Sequence, residues 1–144
     1  PFRFLTAHPE SIAAPIEIAQ GLELLAGPLN TTLPVIVAAD MNADAADFSD
    51  PTFVTYQNFL DAGFVDAWTA VNPFDPGFSC CQAPTVANPL PQLDERVDLI
   101  TVRGPFRVQV AALFGEELGD RTSGALWPSD HAAVAARLLH LGQD

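Results

Sequence analysis

Two apolar periodicities alternate along this chain, and together they predict its elements. Phe2-Arg3-Phe4-Leu5-Thr6-Ala7-His8 alternates bulky apolar residues with others and predicts a strand ending at His8, beside Pro9. From Ala14 to Ala26 the period becomes helical, with Ile16, Ala19 and Leu22 or Glu23 on one face. Pro15 suits its first turn, Gly21 weakens it slightly, and Gly27-Pro28 stop it. Pro34 to Ala39 is continuously apolar and predicts a short strand covered on both faces. Asp50-Pro51 opens a second helix running to about Ala62. Phe53, Val54, Gln57 and Leu60 are expected on its inner face, and Gly63 ends it. Phe64 to Trp68 reads as a short strand. Residues 70–94 hold five prolines and read as one long surface loop.

Beyond that loop, residues 96–102 read as a strand. Val97, Leu99 and Thr101 face one way, and Asp98, Ile100 and Val102 the other. Gly104-Pro105 turns the chain into an alternating strand over 106–114, with one wet face. A polar loop follows over 116–124. Trp127-Pro128-Ser129-Asp130-His131 then leads into a run of small apolar residues, a closing strand entered from a loop. His140 is expected in a frayed, solvent-facing tail with no chemical role.

Charge narrows the partners. The 144 residues carry a net charge of −12, and all six basic residues are arginines. Such a surface repels nucleic acid at long range unless metal ions or a local arginine patch intervene. The length suits one domain with its own core, and no apolar run approaches the roughly 20 residues of a membrane span. Opening on Pro1, with a strand at once, the chain reads as a trimmed piece of something longer. Its two cysteines, Cys80 and Cys81, are adjacent. They could be free thiols, a vicinal disulfide, or partners of cysteines elsewhere; oxidation in an exported, secreted or periplasmic protein is the reading preferred. The Cys pair also sets a fold-stapling role for the 70–94 loop against a substrate-contacting one.

Candidate chemistry sits at strand ends. His8 ends the first strand, where open α/β sheets place ligands, although taken alone it reads as a surface residue. Asp40 and Asn42, two apart after an apolar strand, face one side and offer a carboxylate and a carboxamide; a polar turn would use the same letters. Asp98 shares a face with apolar residues, so it needs a partner, either an arginine such as Arg96 or a catalytic histidine. Asp130 and His131 point to opposite sides of an extended backbone and can serve one site, the carboxylate for a cation and the imidazole for a proton.

In order, Thr6-Ala7-His8, Asp40-Met41-Asn42-Ala43, Arg96-Val97-Asp98-Leu99-Ile100 and Ser129-Asp130-His131 resemble the later motifs of the endonuclease/exonuclease/phosphatase family, of which DNase I is the best-known member. Ala39 stands where the family has glycine and Met41 where it has phenylalanine; neither change removes chemistry. The Cys-Cys loop resembles that of exported bacterial members. The resemblance implies an α/β (α+β) fold, the carboxyl-terminal half of a four-layer α/β/β/α sandwich. Its sheet would be mostly antiparallel or mixed, with helices on one face, and residues 1–144 would form a single domain fragment.

The resemblance also implies a Mg²⁺-dependent phosphoesterase, with Mn²⁺ or Ca²⁺ as alternatives. His131 is then the catalytic imidazole, oriented by Asp98, and Asp130 contributes to the metal. Asp40 and Asn42 position water or phosphate and can also reach the metal. His8 is a second histidine whose carboxylate partner is expected in the absent first half. That half supplies an asparagine and a glutamate to the metal in the family, so the fragment is expected to be weak or inactive by itself. It would pair with its missing amino-terminal half or with a second copy through an open apolar sheet face. Substrates range over nucleic acid, phospholipid and small phosphate esters. The rival reading is a non-catalytic interaction domain that keeps the fold and lacks a complete metal site.

Overall fold

In a computed structural model of the chain, residues 1–142 are described. Strand β1 (Arg3–Leu5) lies parallel to β2 (Val35–Asp40), and helix α1 (Ala14–Ala26) makes the crossover between them. Helix α2 (Phe53–Asp61) precedes β3 (Val65–Asp66) and the short helix α3 (Ala67–Val71). Strand β4 (Asp98–Arg103) inserts antiparallel between β2 and β3, giving a four-stranded mixed sheet in the order β1-β2-β4-β3. Strands β5 (Phe106–Phe114) and β6 (Ala133–His140) form a separate antiparallel pair with an irregularity between Val108 and Val110. The strands thus form a four-stranded mixed sheet and a two-stranded antiparallel one, within the mixed α/β class expected.

The core lies on one face of the larger sheet. Val35, Val37 and Ala39 of β2 and Leu99 of β4 pack there against Tyr56 and Phe59 of α2, with Leu24 and Leu25 of α1 at the margin. Burial alternates strictly along β2: Val35, Val37 and Ala39 are buried, while Ile36, Ala38 and Asp40 are half-exposed. This strand is thus covered on one face, not two. Phe4 is exposed on β1, and Val110, Phe114 and Leu139 are exposed on the hairpin.

The ends of α1 are those expected, because Pro15 and Gly27 punctuate it. The inner face of α2 is rotated from the expected one. Thr55, Tyr56 and Phe59 are buried, Phe53 and Leu60 flank them, and Val54 and Gln57 face solvent. Two contacts fix this rotation. The helices meet where Gly21 leaves room for the Thr55 side chain, which donates to Glu17 Oε2 at 2.9 Å. Tyr56 donates its hydroxyl to Asp66 Oδ2 at 3.0 Å. Asp50 does not cap the helix directly; Thr52 holds the cap position, and Asp50 Oδ1 accepts its backbone N–H at 2.7 Å.

The expected strand over Phe64–Trp68 is cut short. Asp66 caps α3 by accepting the Trp68 N–H at 3.0 Å, which turns Ala67 and Trp68 into helix. His140 is not in a frayed tail either. It is the last residue of β6, paired in register with Phe106, and its ring lies edge-on to the Phe106 ring at 5.2 Å.

Candidate active site

The backbone register builds the site. Strands β2 and β4 run antiparallel with Asp40 directly opposite Asp98, so both carboxylates emerge at one end of the sheet. Like charges facing across a ladder are destabilising unless something offsets them. Here each carboxylate has a histidine beside it. Asp98 Oδ2 lies 2.7 Å from His131 Nδ1, and Asp40 Oδ2 lies 3.3 Å from His8 Nε2. The expectation that Asp98 needs a polar partner is met by His131. The partner of His8, expected outside this chain, is Asp40.

Since a carboxylate only accepts, His131 Nδ1 carries the proton of that bond and donates it to Asp98. This leaves Nε2 with a free lone pair when the ring is neutral. Burial disfavours charge on this ring. The hydrogen bond and charge of Asp98, with the charges of Asp40 and Asp130, outweigh that effect and hold its pKa above the ordinary imidazole value. The two histidines are not equivalent: the His131 side chain is 28% exposed and that of His8 67%, so only His131 is held in a protected setting.

Asn42 completes the centre. Its backbone is left-handed at φ 49°, a conformation that asparagine tolerates better than most residues. The turn is closed by its N–H donating to Asp40 Oδ1 at 3.0 Å, an Asx turn. Its side-chain Nδ2 donates to the Pro9 carbonyl at 2.9 Å, which ties the loop after β1 to the loop after β2. The structure thus brings together His8, Asp40, Asn42, Asp98 and His131. Asp130 is next to His131, exposed, and its Oδ1 accepts from the Ser129 hydroxyl at 3.2 Å. Beside them, Thr6, Ala38, Ile100 and Ala132 line an open depression of about 240 Å³.

Two supports were not legible in the residues. The first is Ser79, fully buried. Its hydroxyl accepts from the Asp98 N–H at 3.1 Å and its carbonyl accepts from the Ala132 N–H at 2.8 Å, so one residue positions both halves of the Asp98–His131 pair. Gln82 N–H donates to the Asp130 carbonyl at 2.7 Å, and buried Trp127 donates from Nε1 to the Asn88 carbonyl at 2.9 Å. The long loop is therefore stapled to the Ser129–His131 segment.

The second support is the buried pair of Arg96 and Asp66. Asp66 Oδ2 also accepts from Tyr56 and from Thr69, and Arg96 Nη2 donates to the Ala45 carbonyl at 3.0 Å. Desolvation works against the Arg96 charge, but Asp66 more than offsets it, so the guanidinium pKa is raised. Arg96 is consequently not the partner of Asp98. Its backbone N–H donates to Asp44 Oδ1 at 3.0 Å, and its carbonyl accepts from Ala45. These bonds pin the Asp40–Ala45 turn against β4.

Cys80 and Cys81 are joined as a vicinal disulfide, with Cys80 buried and Cys81 exposed. Cys81 Sγ lies 3.8 Å from His131 Nε2.

Residues 3–131 match the model of the Endonuclease/Exonuclease/phosphatase family. The chain belongs to the endonuclease/exonuclease/phosphatase family. Members of this family are hydrolases acting on phosphoester bonds and are generally dependent on divalent metal ions. Solved structures share the fold. A functionally unknown conserved protein from Enterococcus faecalis superposes with a TM-score of 0.72 at 21% identity, over 97% of this chain and 50% of that one. A mannosyl-6-phosphatase from Bacteroides thetaiotaomicron gives 0.67 at 19%, over 96% and 51%. TDP2 from D. rerio, complexed with single strand DNA product, gives 0.66 at 19%, over 94% and 55%. No curated protein sequence matches the chain. The chain spans about half the length of the solved structures it matches. Its mixed α/β architecture is that of a fragment of the DNase I-like fold. Among the described residues, no helix is long and apolar enough to cross a membrane.

Proposed function

We propose that this chain carries the acid–base part of a divalent-cation-dependent phosphoesterase. The observation that carries the reading is the Asp98–His131 bond at 2.7 Å, set beside the His8–Asp40 pair by the register that places Asp40 opposite Asp98. Asp98 fixes the tautomer and stabilises the charged ring, and His131 Nε2 exchanges a proton with the attacking water or the leaving oxygen. His8, held by Asp40, and the Asn42 carboxamide hydrogen-bond the phosphoryl oxygens, where charge accumulates in the displacement. Asp40 can also relay a proton through His8.

The donor set suits a hard cation. Asp40, Asp98 and His131 offer ligand atoms within 4.8 Å of one another, and Asp130, next in sequence to His131, adds an exposed carboxylate. Asp130 and Asp40, with the Asn42 carbonyl oxygen, would hold Mg²⁺ or Mn²⁺, or Ca²⁺. When bound, such an ion supplies charge neutralisation at the phosphoryl group. Three side chains make a sparse shell. We therefore place the remaining ligands on a second half, supported by the half-length coverage of the solved neighbours and by exposed Phe4, Phe114 and Leu139; a second copy of this chain is the other occupant. A net charge of −12 favours a small phosphate ester over a nucleic acid duplex or a phospholipid surface. The Cys80–Cys81 disulfide supports a secreted or periplasmic setting.

The test is hydrolysis of a small chromogenic phosphodiester and phosphomonoester in Mg²⁺ by this chain, alone and with the proposed second half. His131→Ala is expected to lower the rate by about 10²–10⁴-fold with little loss of stability. Near-wild-type turnover would remove the assignment and leave a non-catalytic interaction domain as the better reading.

A further inference from the structure

The long loop does more than staple the site; it lays two sulfurs against the catalytic ring. Cys80, Cys81 and His131 offer Sγ, Sγ and a ring nitrogen that lie within 4.8 Å of one another. In the disulfide the sulfurs carry neither proton nor charge and are poor metal ligands. Reduction changes their chemistry. With a phosphine reductant, the disulfide takes two electrons, the phosphorus takes the oxygen of one water, and that water's two protons go to the two sulfurs.

We propose that the reduced Cys80–Cys81 pair and His131 Nε2 form a Zn²⁺ site, distinct in ion preference from the oxygen-rich site of Asp40 and Asp130. Binding replaces the two thiol protons, which are released to solvent, so two thiolates and a neutral imidazole ligate the ion. A Cys₂His set with a fourth position left to water is a recognised arrangement for zinc. Once the sulfur–sulfur bond is broken, the two sulfurs can move to the roughly 3.8 Å separation that Zn–S distances of about 2.3 Å require in a tetrahedron. The outer shell is already built. His131 Nδ1 donates to Asp98 Oδ2 at 2.7 Å, which directs the Nε2 lone pair outward and raises the basicity of the ring. Thiolates select Zn²⁺ over Mg²⁺, whereas the carboxylates nearby do the reverse. The consequence for turnover rests on the function proposed above: a ligated Nε2 cannot exchange a proton, so reduction plus Zn²⁺ silences the enzyme.

The experiment uses the full 144-residue chain, as isolated and after treatment with a trialkylphosphine. Co²⁺ serves as the spectroscopic probe, and Zn²⁺ affinity is read by competition with a chromophoric chelator. The reduced chain is expected to show sulfur-to-cobalt charge-transfer bands that one equivalent of Zn²⁺ bleaches. Its Zn²⁺ affinity should exceed that of the oxidised chain by roughly 100-fold or more. Cys81→Ser, at an exposed position, should abolish that gain, and Asp98→Asn should weaken binding by about 10–100-fold. Absence of the bands in reduced wild type, or an affinity unchanged by His131→Ala, overturns the site. Neither readout needs turnover, so tight Zn²⁺ binding in a protein that hydrolyses nothing would remove the hydrolytic reading and leave the zinc site standing.

Discussion

Glu17 offers a test that needs only the chain itself. It sits in α1 at 1% exposure, facing α2. Its Oε2 accepts from the Thr55 hydroxyl at 2.9 Å, and its Oε1 is buried without a hydrogen-bond partner among the described residues. Burial raises its pKa from 4.5 to about 7; the Thr55 bond opposes the rise, and the charge of Asp50 adds to it. A carboxyl raised in the folded state binds its proton more tightly there than in the unfolded chain. Stability is therefore full below pH 4.5, falls as the unfolded chain ionises first, and levels off above pH 7. At about 1.4 kcal/mol for each pH unit between the two values, the loss reaches about 3 kcal/mol at pH 8 and is under about 1 kcal/mol at pH 5. Glu17→Gln keeps an acceptor for Thr55 and cannot ionise. Urea unfolding of both proteins at pH 5 and pH 8 should show the wild type losing about 2 kcal/mol more than the variant over that interval. Parallel pH profiles would refute the buried-carboxyl account, because the fixed cost of burying an amide is the same at both pH values.

Further outcomes follow from the supports of the site. Arg96→Met leaves the Asp66 carboxylate buried without its cation and should cost about 3–5 kcal/mol in urea unfolding; a loss under about 1 kcal/mol would show that Tyr56 and Thr69 suffice. Gly77 has φ +68°, and a Cβ there would run into the Trp68 indole. Gly77→Ala should therefore destabilise by about 1–3 kcal/mol, measured by thermal unfolding, and an unchanged midpoint would mean that the loop is free to shift. Ser79→Ala removes the acceptor of the Asp98 N–H while keeping the Ala132 contact. It should cost about 1–3 kcal/mol and lower the proposed phosphoesterase turnover, whereas unaltered turnover would show that Asp98 is positioned without it.

Local signals were legible where residues punctuate the chain. Pro15 and Gly27 bound α1, and the apolar run from Pro34 ends in β2 at Asp40. The polar set of the site was legible for a physical reason: Asp98 on a mainly apolar strand demands a partner, and residues at strand ends share one side of a sheet. Partner choice was not legible. Arg96 lies two residues from Asp98, yet it pairs with Asp66, 30 residues earlier, because β3 lies alongside β4. His8 finds Asp40 because β1 and β2 are parallel neighbours. The Asp66 cap that converts Ala67 and Trp68 to helix could have been found, since an acid one residue before a helix is an N-cap signal. The division into two sheets could not, because pairing of β5 with β6 depends on contacts far apart in the chain.

The opposition of Asp40 and Asp98 makes the β2–β4 register a ruler for the chemistry. Side chains alternate with period two, so a slip of one residue would send Asp98 to the opposite face from Asp40 and from His131. Insertions and deletions are then unequal along the chain. The segment between Val71 and Asp98 can change length in its outer part, reshaping the mouth of the site, while Ser79 and Arg96 keep their places. Within β4 even one added residue breaks the parity that sets the two carboxylates side by side. Variation in what such a site accepts should accordingly accumulate in the loop, with the strands on either side kept in phase.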